Sequence, residues 1–323
     1  MRPSQGSTPT SLRCAVTAFD PPESRLLVLQ LRPEDEASDS EFEAILRHGR
    51  LRPEGVQRIR LEQGAFPRID LDRHAAIIVG GSPFEVSTPE DEKSEVQLRI
   101  EEGFRHLLDE VVERDFPFLG ACSGNGLLGS WLGASLSGRY REPVGGADVR
   151  LTDAGRADPL LTGLPERFRV LLGHKEACDA VPPGAVLLAT SEACPVQMFR
   201  VGEHVYATQF HPEGDPEGFA VRIRTYRSYG YFPPERADEL LAAVRGEEVT
   251  GPDSLRVGEL GSLAEKLSAL WADMPDGARK IAASSVNPTA LNALEAAVAA
   301  ALDRPVLQIG RDLPLPIATD LPD

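Results

Sequence analysis

The chain has 323 residues, of which 41% are hydrophobic and 26% are charged, so it can bury a sizeable core. This composition excludes collagen, a coiled coil and a wholly disordered protein. With 34 Lys and Arg against 50 Asp and Glu, the formal net charge of −16 disfavours binding to nucleic-acid phosphates, and no local basic patch offsets it.

The cysteines and the N-terminal composition predict a cytoplasmic protein. The four cysteines form no CxxC pair and no small secreted framework, which is typical of reduced thiols. No stretch approaches the roughly 18 consecutive apolar residues of a membrane helix. Residues 1–9 are polar and rich in Ser and Pro, so they do not resemble a secretory signal. We expect neither a membrane nor a nucleic-acid partner.

The first half of the chain alternates apolar runs with helical patterns. We expect residues 1–24 to form an N-terminal extension. The short apolar runs that follow are bounded by charged or Gly-rich segments, as in the buried strands of a parallel sheet. The predicted strands here are 25–31, 75–79 and 116–120, and the predicted helices are 41–48, 93–114 and 127–132.

The second half is richer in short strands, which favours an antiparallel edge added to the parallel sheet. Its predicted strands are 186–189, 196–199 and 204–210, and its predicted helices are 234–245, 262–274 and 287–302. A turn-rich break separates the first of these helices from the other two. The expected fold class is α/β, with an open, mostly parallel sheet flanked by helices and a small helical C-terminal extension. We expect the main domain at 25–245 and a mainly helical appendage of unknown role at 246–323.

A G-x-C-x-G pattern at residues 120–124 lies between a predicted strand and a predicted helix. This is the thiol version of a nucleophile elbow, in which small neighbours let the backbone turn sharply under the reactive side chain. The helix N-terminus is then expected to lower the pKa of the Cys122 thiol, and the Ser123 N–H to face an oxyanion. The simpler interpretation of the pattern is a buried structural cysteine beside a turn.

Two further segments follow predicted strands and end at the same edge of the sheet. His211 is followed two residues later by Glu213, which can orient the imidazole and stabilise its cation. Gly81 and Ser82 follow another strand, and a backbone N–H of either can point at an oxyanion. Each segment alone is equally well explained as an ordinary loop or turn.

Together and in this order, these segments resemble the class I glutamine amidotransferases, and are most similar to stand-alone members that resemble the amidotransferase domain of GMP synthase. The resemblance covers residues 25–245. Residues 173–176 and 183–185 look like the family's His-x-Asp and Pro-x-Gly stretches. The resemblance implies the flavodoxin-like fold of that family and a role in nitrogen metabolism.

The resemblance also implies a role for each site residue. Cys122 would be the nucleophile, His211 its base and acid, and Glu213 the group that orients the imidazole. The implied oxyanion hole consists of backbone N–H groups of Ser123 and of Gly81 or Ser82.

Two positions depart from the family pattern. The family usually has Gln where this chain has Gly126, and commonly has Asp where it has Glu176. Gly126, Glu176 and the neighbouring His174 are the expected substrate-binding positions. The missing Gln weakens the case for free glutamine as the substrate, although it leaves the triad intact.

No cofactor and no metal are predicted. The spacing of His174, Cys178, Cys194 and His204 fits no zinc-ligand pattern. Neither a P-loop nor the Ser-Gly-Gly-x-Asp loop of an ATP pyrophosphatase occurs in the sequence. If ammonia is used productively, a separate synthetase subunit is expected to receive it.

Three functional hypotheses stay open at this point. The favoured one is a Cys-dependent amidohydrolase that releases ammonia from a small amide substrate, glutamine by resemblance. The second is a hydrolase of γ-glutamyl peptides or conjugates on the same fold, which Gly126 keeps open. The third is a non-catalytic regulatory relative, against which the complete triad argues.

Overall fold

The computed structural model describes residues 25–161 and 163–250, together with the backbone of two short strands further on. In chain order the strands and α-helices are β1 (Arg25–Gln30), α1 (Asp35–Gly49), β2 (Val56–Arg60), β3 (His74–Val79), α2 (Glu95–Glu113), β4 (Phe118–Ala121), α3 (Ser123–Trp131), β5 (Leu136–Ser137), β6 (Glu142–Leu151), α4 (Asp153–Ala157), β7 (Arg167–His174), β8 (Ala177–Cys178), β9 (Val186–Thr190), β10 (Met198–Val201), β11 (Val205–Thr208), α5 (Pro216–Thr225), α6 (Ala237–Arg245), β12 (Ile281–Ala283) and β13 (Val306–Gln308).

A nine-stranded sheet organises the chain, in the order β2-β1-β3-β4-β11-β10-β9-β6-β7. The strands from β2 to β11 pair in parallel. From β11 to β7 every pairing is antiparallel. The predicted α/β class, with its antiparallel edge, is therefore confirmed. Short pairs are formed by β5 with β8 and by β12 with β13.

Helices cover both faces of the parallel half. In β1, Leu27 and Leu29 face a core that also contains Phe104 of α2 and Leu128 of α3. Val28, between them in sequence, packs instead in the cluster that contains residues of α1. Successive side chains of a strand point to opposite faces, so α2 and α3 lie on one face and α1 on the other.

A third apolar cluster joins α5 and α6 to the sheet. It contains Leu171 of β7, Phe219 of α5 and Val244 of α6. The chain stays attached beyond α6, because the Thr250 N–H donates to the Arg169 carbonyl of β7 at 2.8 Å. The packed unit therefore continues at least to Thr250, five residues past the predicted end of the domain.

Several predictions concern residues that the structure does not describe. The extension at 1–24 and the helices at 262–274 and 287–302 lie outside the described residues. Within the predicted helical appendage, the described backbone is that of β12 and β13, a parallel strand pair. Among the described residues, no helix combines the length and the apolar character needed to cross a membrane.

Asp215 connects α1 to α5. Its carboxylate caps α5 by accepting from the Gly218 N–H at 2.8 Å, and it also accepts from His48 at 2.7 Å and from Arg47. Burial acts to raise the pKa of Asp215, but these three donors outweigh it and hold the pKa below its usual range. The cap therefore fixes both the start of α5 and its position against α1.

We expect Asp215→Ala to lower the free energy of unfolding by about 1–3 kcal/mol, because it removes a helix cap and a partly buried ion pair. Urea denaturation at neutral pH measures the change. Because folding lowers the pKa of Asp215, its carboxylate stabilises the fold at pH values above the unfolded pKa. The difference in free energy of unfolding between the wild type and Asp215→Asn should therefore shrink as the pH falls below about 4.

The matched control is Asp238→Ala, an exposed carboxylate in the first turn of α6. It should change stability by no more than about 0.5 kcal/mol. Equal losses for the two variants would contradict the assigned role of Asp215.

Candidate active site

Strand register brings the predicted site residues to one edge of the sheet. Val79 of β3 pairs with Gly120 of β4, and Ala121 of β4 pairs with Thr208 of β11. The residues that follow these three strands therefore leave the sheet side by side. This is the carboxyl edge of the parallel strands, where open α/β sheets place their ligand sites.

Cys122 occupies a strained turn between β4 and α3. Its backbone has φ 54° and ψ −94°, an unusual conformation for a residue other than glycine. The two flanking glycines of the motif touch each other: a Cβ on Gly120 would lie 2.7 Å from the carbonyl carbon and oxygen of Gly124. The G-x-C-x-G spacing is therefore required by the close approach of α3 to β4.

His211 and Glu213 form the predicted pair. His211 Nδ1 lies 2.7 Å from Glu213 Oε1, and the same oxygen accepts from Arg222 Nη2 at 2.7 Å. Although burial acts to raise it, the pKa of Glu213 is held far below its usual range by His211 and Arg222. The pKa of His211 is lowered, chiefly by burial and then by the Arg222 charge, so the resting imidazole is neutral at neutral pH.

Cys122 and His211 line one cavity of about 30 Å³. Among the described residues, neither the Cys122 sulfur nor His211 Nε2 has a hydrogen-bond partner, and the two do not hydrogen-bond to each other. The nucleophile and the base thus face the same small, partly open cavity.

The thiol beside this cavity is not activated. Burial raises the pKa of Cys122 to about 11, against the opposing effect of the Arg32 and Arg222 charges. The expectation that the helix N-terminus would lower the pKa of Cys122 is therefore wrong for this structure. Desolvation disfavours the thiolate by more than the nearby positive charges favour it.

The predicted oxyanion donors differ in what they contact. The Gly81 N–H donates to Glu41 Oε1 at 3.1 Å, so in this structure it does not face the cavity. The hydroxyl groups of Ser82 and Ser123 lie 2.8 Å apart, and Ser82 lines the cavity. The Ser123 N–H lies in the first turn of α3, where a helix offers it no carbonyl partner. Ser82 and Ser123 are thus better placed than Gly81.

Gly81 is tightly enclosed. A Cβ at this position would lie 2.5 Å from Arg32 Nη2 and 2.8 Å from His211 Cε1. Arg32 Nε in turn donates to Glu41 Oε1 at 2.8 Å. The second glycine of the Gly-Gly pair therefore fits between a guanidinium group and the imidazole.

The two departures from the family pattern are neighbours in space. Glu176 accepts from the N–H groups of Val86 at 2.7 Å and Ser87 at 2.8 Å, so it holds a loop rather than facing the cavity. A Cβ on Gly126 would lie 3.4 Å from Glu176 Oε1 and 3.2 Å from Leu136 Cδ2. A longer side chain at 126 would therefore press on Leu136 and Glu176.

His174 lies in a buried polar cluster away from the cavity wall. Its Nδ1 faces the Glu176 carbonyl oxygen at 2.9 Å, and its Nε2 faces Glu142 Oε2 at 3.0 Å. Gln197 Nε2 donates to the same carboxylate oxygen at 2.6 Å. Both ring nitrogens of His174 therefore face acceptor oxygens inside this cluster.

Two buried groups of metal-ligating side chains occur in the described part of the chain. One is Glu142, His174 and Cys194, and the other is Glu41, His211 and Glu213. In the first, the carboxylate is engaged by His174 and Gln197. In the second, Arg32 and Arg222 already neutralise the carboxylates and would repel a cation. Hydrogen bonds and ion pairs therefore account for both groups.

Aromatic residues after α5 border the cavity. Tyr231 donates its hydroxyl to the Ser82 carbonyl at 3.0 Å, and Lys175 lies 4.9 Å from the centre of its ring. Lys175 also pairs with Glu85. Tyr231 and Phe232 both line the cavity. These two rings therefore narrow the approach to Cys122, which is partly buried.

Sequence analysis missed Arg32, Glu41, Arg222 and Tyr231. Arg32 carries a recognisable signal, because it is a charged residue two positions after a buried strand. Glu41 and Arg222 lie within helices, and the sequence pattern does not distinguish them from surface charges. Only the packing of α1 and α5 at the sheet edge brings them to the site.

We expect Tyr231→Ala to speed alkylation of Cys122 by iodoacetamide about tenfold, equivalent to about 1.4 kcal/mol, because it removes a ring and a hydrogen bond at the cavity wall. Peptide mass spectrometry over time measures the rate at Cys122. Tyr229→Ala is the matched control, because Tyr229 is 45% exposed and does not line the cavity. An unchanged rate in the Tyr231 variant would show that this ring does not limit access.

The coupling of positions 126 and 176 predicts a non-additive pair. We expect Gly126→Gln alone to lower the free energy of unfolding by about 1–3 kcal/mol through overpacking. The double variant Gly126→Gln with Glu176→Asp should lose less stability than the two single variants lose in sum, by at least about 0.5 kcal/mol. Glu166→Asp, a change at an exposed carboxylate, should combine additively with Gly126→Gln. Additivity in both pairs would contradict the coupling.

Comparisons with known proteins identify the family of this chain. The family model described as "Glutamine amidotransferase class-I" matches residues 36–223. A GMP synthase [glutamine-hydrolyzing] from Thermosipho africanus is 26% identical over 216 residues, covering 64% of this chain and 38% of that protein. A shorter relative from Haloarcula marismortui, named as one subunit of a glutamine-hydrolyzing GMP synthase, is 38% identical over 105 residues, covering 32% of this chain and 54% of that relative. The chain thus spans well under two thirds of these relatives.

Solved structures share the fold. A glutamine amidotransferase from Thermotoga maritima superposes with a TM-score of 0.59 at 23% identity, covering 73% of this chain and 96% of that one. A glutamine amido transferase from Methylobacillus flagellatus gives a TM-score of 0.55 at 14% identity, covering 74% of this chain and 94% of that one. Since the family model matches more than half of its length, the chain belongs to the class I glutamine amidotransferase family.

Proposed function

We propose that this chain hydrolyses the side-chain amide of glutamine through Cys122, His211 and Glu213, and releases ammonia. The observation that carries the proposal is the shared cavity: a cysteine on a strained strand-to-helix turn and a histidine oriented by a buried carboxylate line the same space. Family membership supports glutamine as the substrate.

The protonation states indicate how the reaction begins. The thiol and the imidazole are both neutral at rest, because burial raises the pKa of Cys122 and lowers that of His211. His211 therefore acts as a general base, taking the thiol proton as sulfur attacks the amide carbon. Glu213 stabilises the imidazolium that forms, through its 2.7 Å contact with Nδ1.

The remaining steps follow from the same groups. The N–H groups of Ser123 and Ser82 are the proposed donors to the oxyanion of the tetrahedral intermediate. As the intermediate collapses, the carbon–nitrogen bond breaks and His211 returns its proton to the leaving nitrogen, so ammonia departs. Water, deprotonated by His211, then cleaves the γ-glutamyl thioester, which releases glutamate and restores the thiol.

We also propose a separate synthetase as the acceptor of this ammonia. Relatives from Haloarcula marismortui and Thermococcus kodakarensis are each named as one subunit of GMP synthase, which supports an amidotransferase that works beside a second polypeptide. The nitrogen acceptor of this chain is not identified by that similarity.

Hydrolysis of γ-glutamyl peptides or conjugates is the second candidate. Gly126 favours it, because the family's Gln is missing and Glu176 fills the adjoining space without facing the cavity. Ammonia release from glutamine supports the first candidate. Cleavage of γ-glutamyl peptides without ammonia release from glutamine would support the second.

We expect Cys122→Ala to reduce ammonia release from glutamine by at least about 10³-fold, since it removes the attacking atom. A coupled glutamate dehydrogenase assay measures the release. Cys178→Ser is the matched control, because Cys178 is buried outside the cavity wall and donates to Asn125, a bond that a hydroxyl can replace. Equal activity in the Cys122 variant would end the proposal.

The pH profile provides an independent check. Because the pKa of His211 is lowered from 6.5, its neutral form persists into mildly acidic solution, and the acid limb of kcat/KM should lie below pH 6.5. An acid limb above pH 7 would contradict His211 as the base in this environment.

A further inference from the structure

The charged side chains on the cavity wall are cationic. Arg32 and Arg222 line the cavity, whereas their carboxylate partners Glu41 and Glu213 lie behind them and do not. Arg32 pairs with Glu41 at 2.8 Å, and Arg222 pairs with Glu213 at 2.7 Å. A ligand that enters the cavity therefore meets guanidinium groups before it meets carboxylates.

Both guanidinium groups have hydrogen-bonding capacity left over. The Arg222 side chain is 7% exposed, and its Nε and Nη1 have no partner among the described residues. Arg32 uses Nε for Glu41 and Nη1 for the Tyr226 hydroxyl, while no described residue accepts from Nη2, which lies beside Gly81. Leaving a buried donor unpaired is costly, so these nitrogens favour an acceptor supplied from the cavity.

The cavity wall contains no uncompensated negative charge. Two guanidinium groups offset the two carboxylates behind them, and both Cys122 and His211 are neutral at rest. A planar carboxylate matches the fork of a guanidinium group and satisfies two N–H donors at once. The small cavity favours this compact group over a bulkier phosphoryl group.

We propose that Arg32 and Arg222 form a carboxylate-binding subsite beside Cys122, so that the substrate is an amide that also carries a carboxylate. The inference deepens the amide hydrolysis proposed above and rests on it for the reacting group. Recognition of the carboxylate by two arginines would take over from the Gln that Gly126 replaces. Glutamine and γ-glutamyl compounds with a free α-carboxylate belong to this substrate class.

Alkylation of Cys122 tests the subsite without any amide substrate. Iodoacetate and iodoacetamide are similar in size, and with each the sulfur forms a bond to the methylene carbon while iodide leaves. Widening of the cavity affects both reagents alike, so the ratio of their rates reports the charge beside the sulfur. Rates are measured on the full chain by peptide mass spectrometry of Cys122.

We expect the wild-type protein to react faster with iodoacetate than with iodoacetamide. Arg222→Gln and Arg32→Gln should each lower this ratio about tenfold, whereas Arg222→Lys should keep part of it. Arg224→Gln, at an exposed position on the same helix, should leave the ratio unchanged. If the wild-type protein reacts more slowly with iodoacetate than with iodoacetamide, as an ordinary thiol does, the proposed subsite is overturned. This measurement does not depend on any variant folding.

The result is separable from that of the glutaminase assay. A preference for iodoacetate in a protein that releases no ammonia from glutamine would support the subsite and contradict the proposed activity. Ammonia release without a preference for iodoacetate would support the proposed activity and contradict the subsite. In an active enzyme, replacing the α-carboxylate of glutamine by a carboxamide should raise KM about tenfold to a hundredfold, and an equal KM would count against the subsite.

Discussion

A buried network of four charges determines the geometry of this site. Glu41 accepts from Arg32 and from the Gly81 N–H, and Glu213 accepts from Arg222 and contacts His211. Removing ions from water costs several kcal/mol each, so the network is stable only while every member keeps its partner. A Cβ on Gly80 would lie 2.3 Å from Glu41 Oε2, which explains why the loop is glycine at two successive positions. The position of His211 and the shape of the Gly-Gly loop thus depend on the same ion pairs.

The parallel half of the fold was predictable because its strands are buried on both faces. Such strands appear in the sequence as continuous apolar runs, and β1, β3 and β4 each match one. The antiparallel edge of the sheet was harder to predict from the sequence. Strand β6 contains two adjacent glycines in a half-buried middle section and alternates exposed with buried residues only at its end, so the sequence at 142–151 has no apolar run. Helix α1 begins at Asp35, six residues before the prediction, because its first turns are rich in acidic residues and carry no apolar stripe.

The site was predictable to the extent that its residues directly follow strands. Cys122, His211 and Ser82 do so, and the sheet brings all three to one cavity. Contributions from helices were not predictable, since Arg222 is one of several arginines near α5 and only packing distinguishes it. The pKa of Cys122 was predicted in the wrong direction for a related reason. A motif identifies the helix terminus beside a thiol, but the extent of desolvation depends on side chains that are distant in sequence, Tyr231 among them.

The cationic wall of the cavity also bears on the state in which nitrogen leaves. A basic amine in a small space between two guanidinium groups is disfavoured in its protonated form by electrostatic repulsion. In the proposed reaction, nitrogen freed beside Arg32 and Arg222 would therefore leave as uncharged NH₃ before it becomes NH₄⁺. Only the uncharged molecule retains the lone pair that a later acceptor needs, so the same arginines that would bind a carboxylate would also preserve the nucleophilicity of the product.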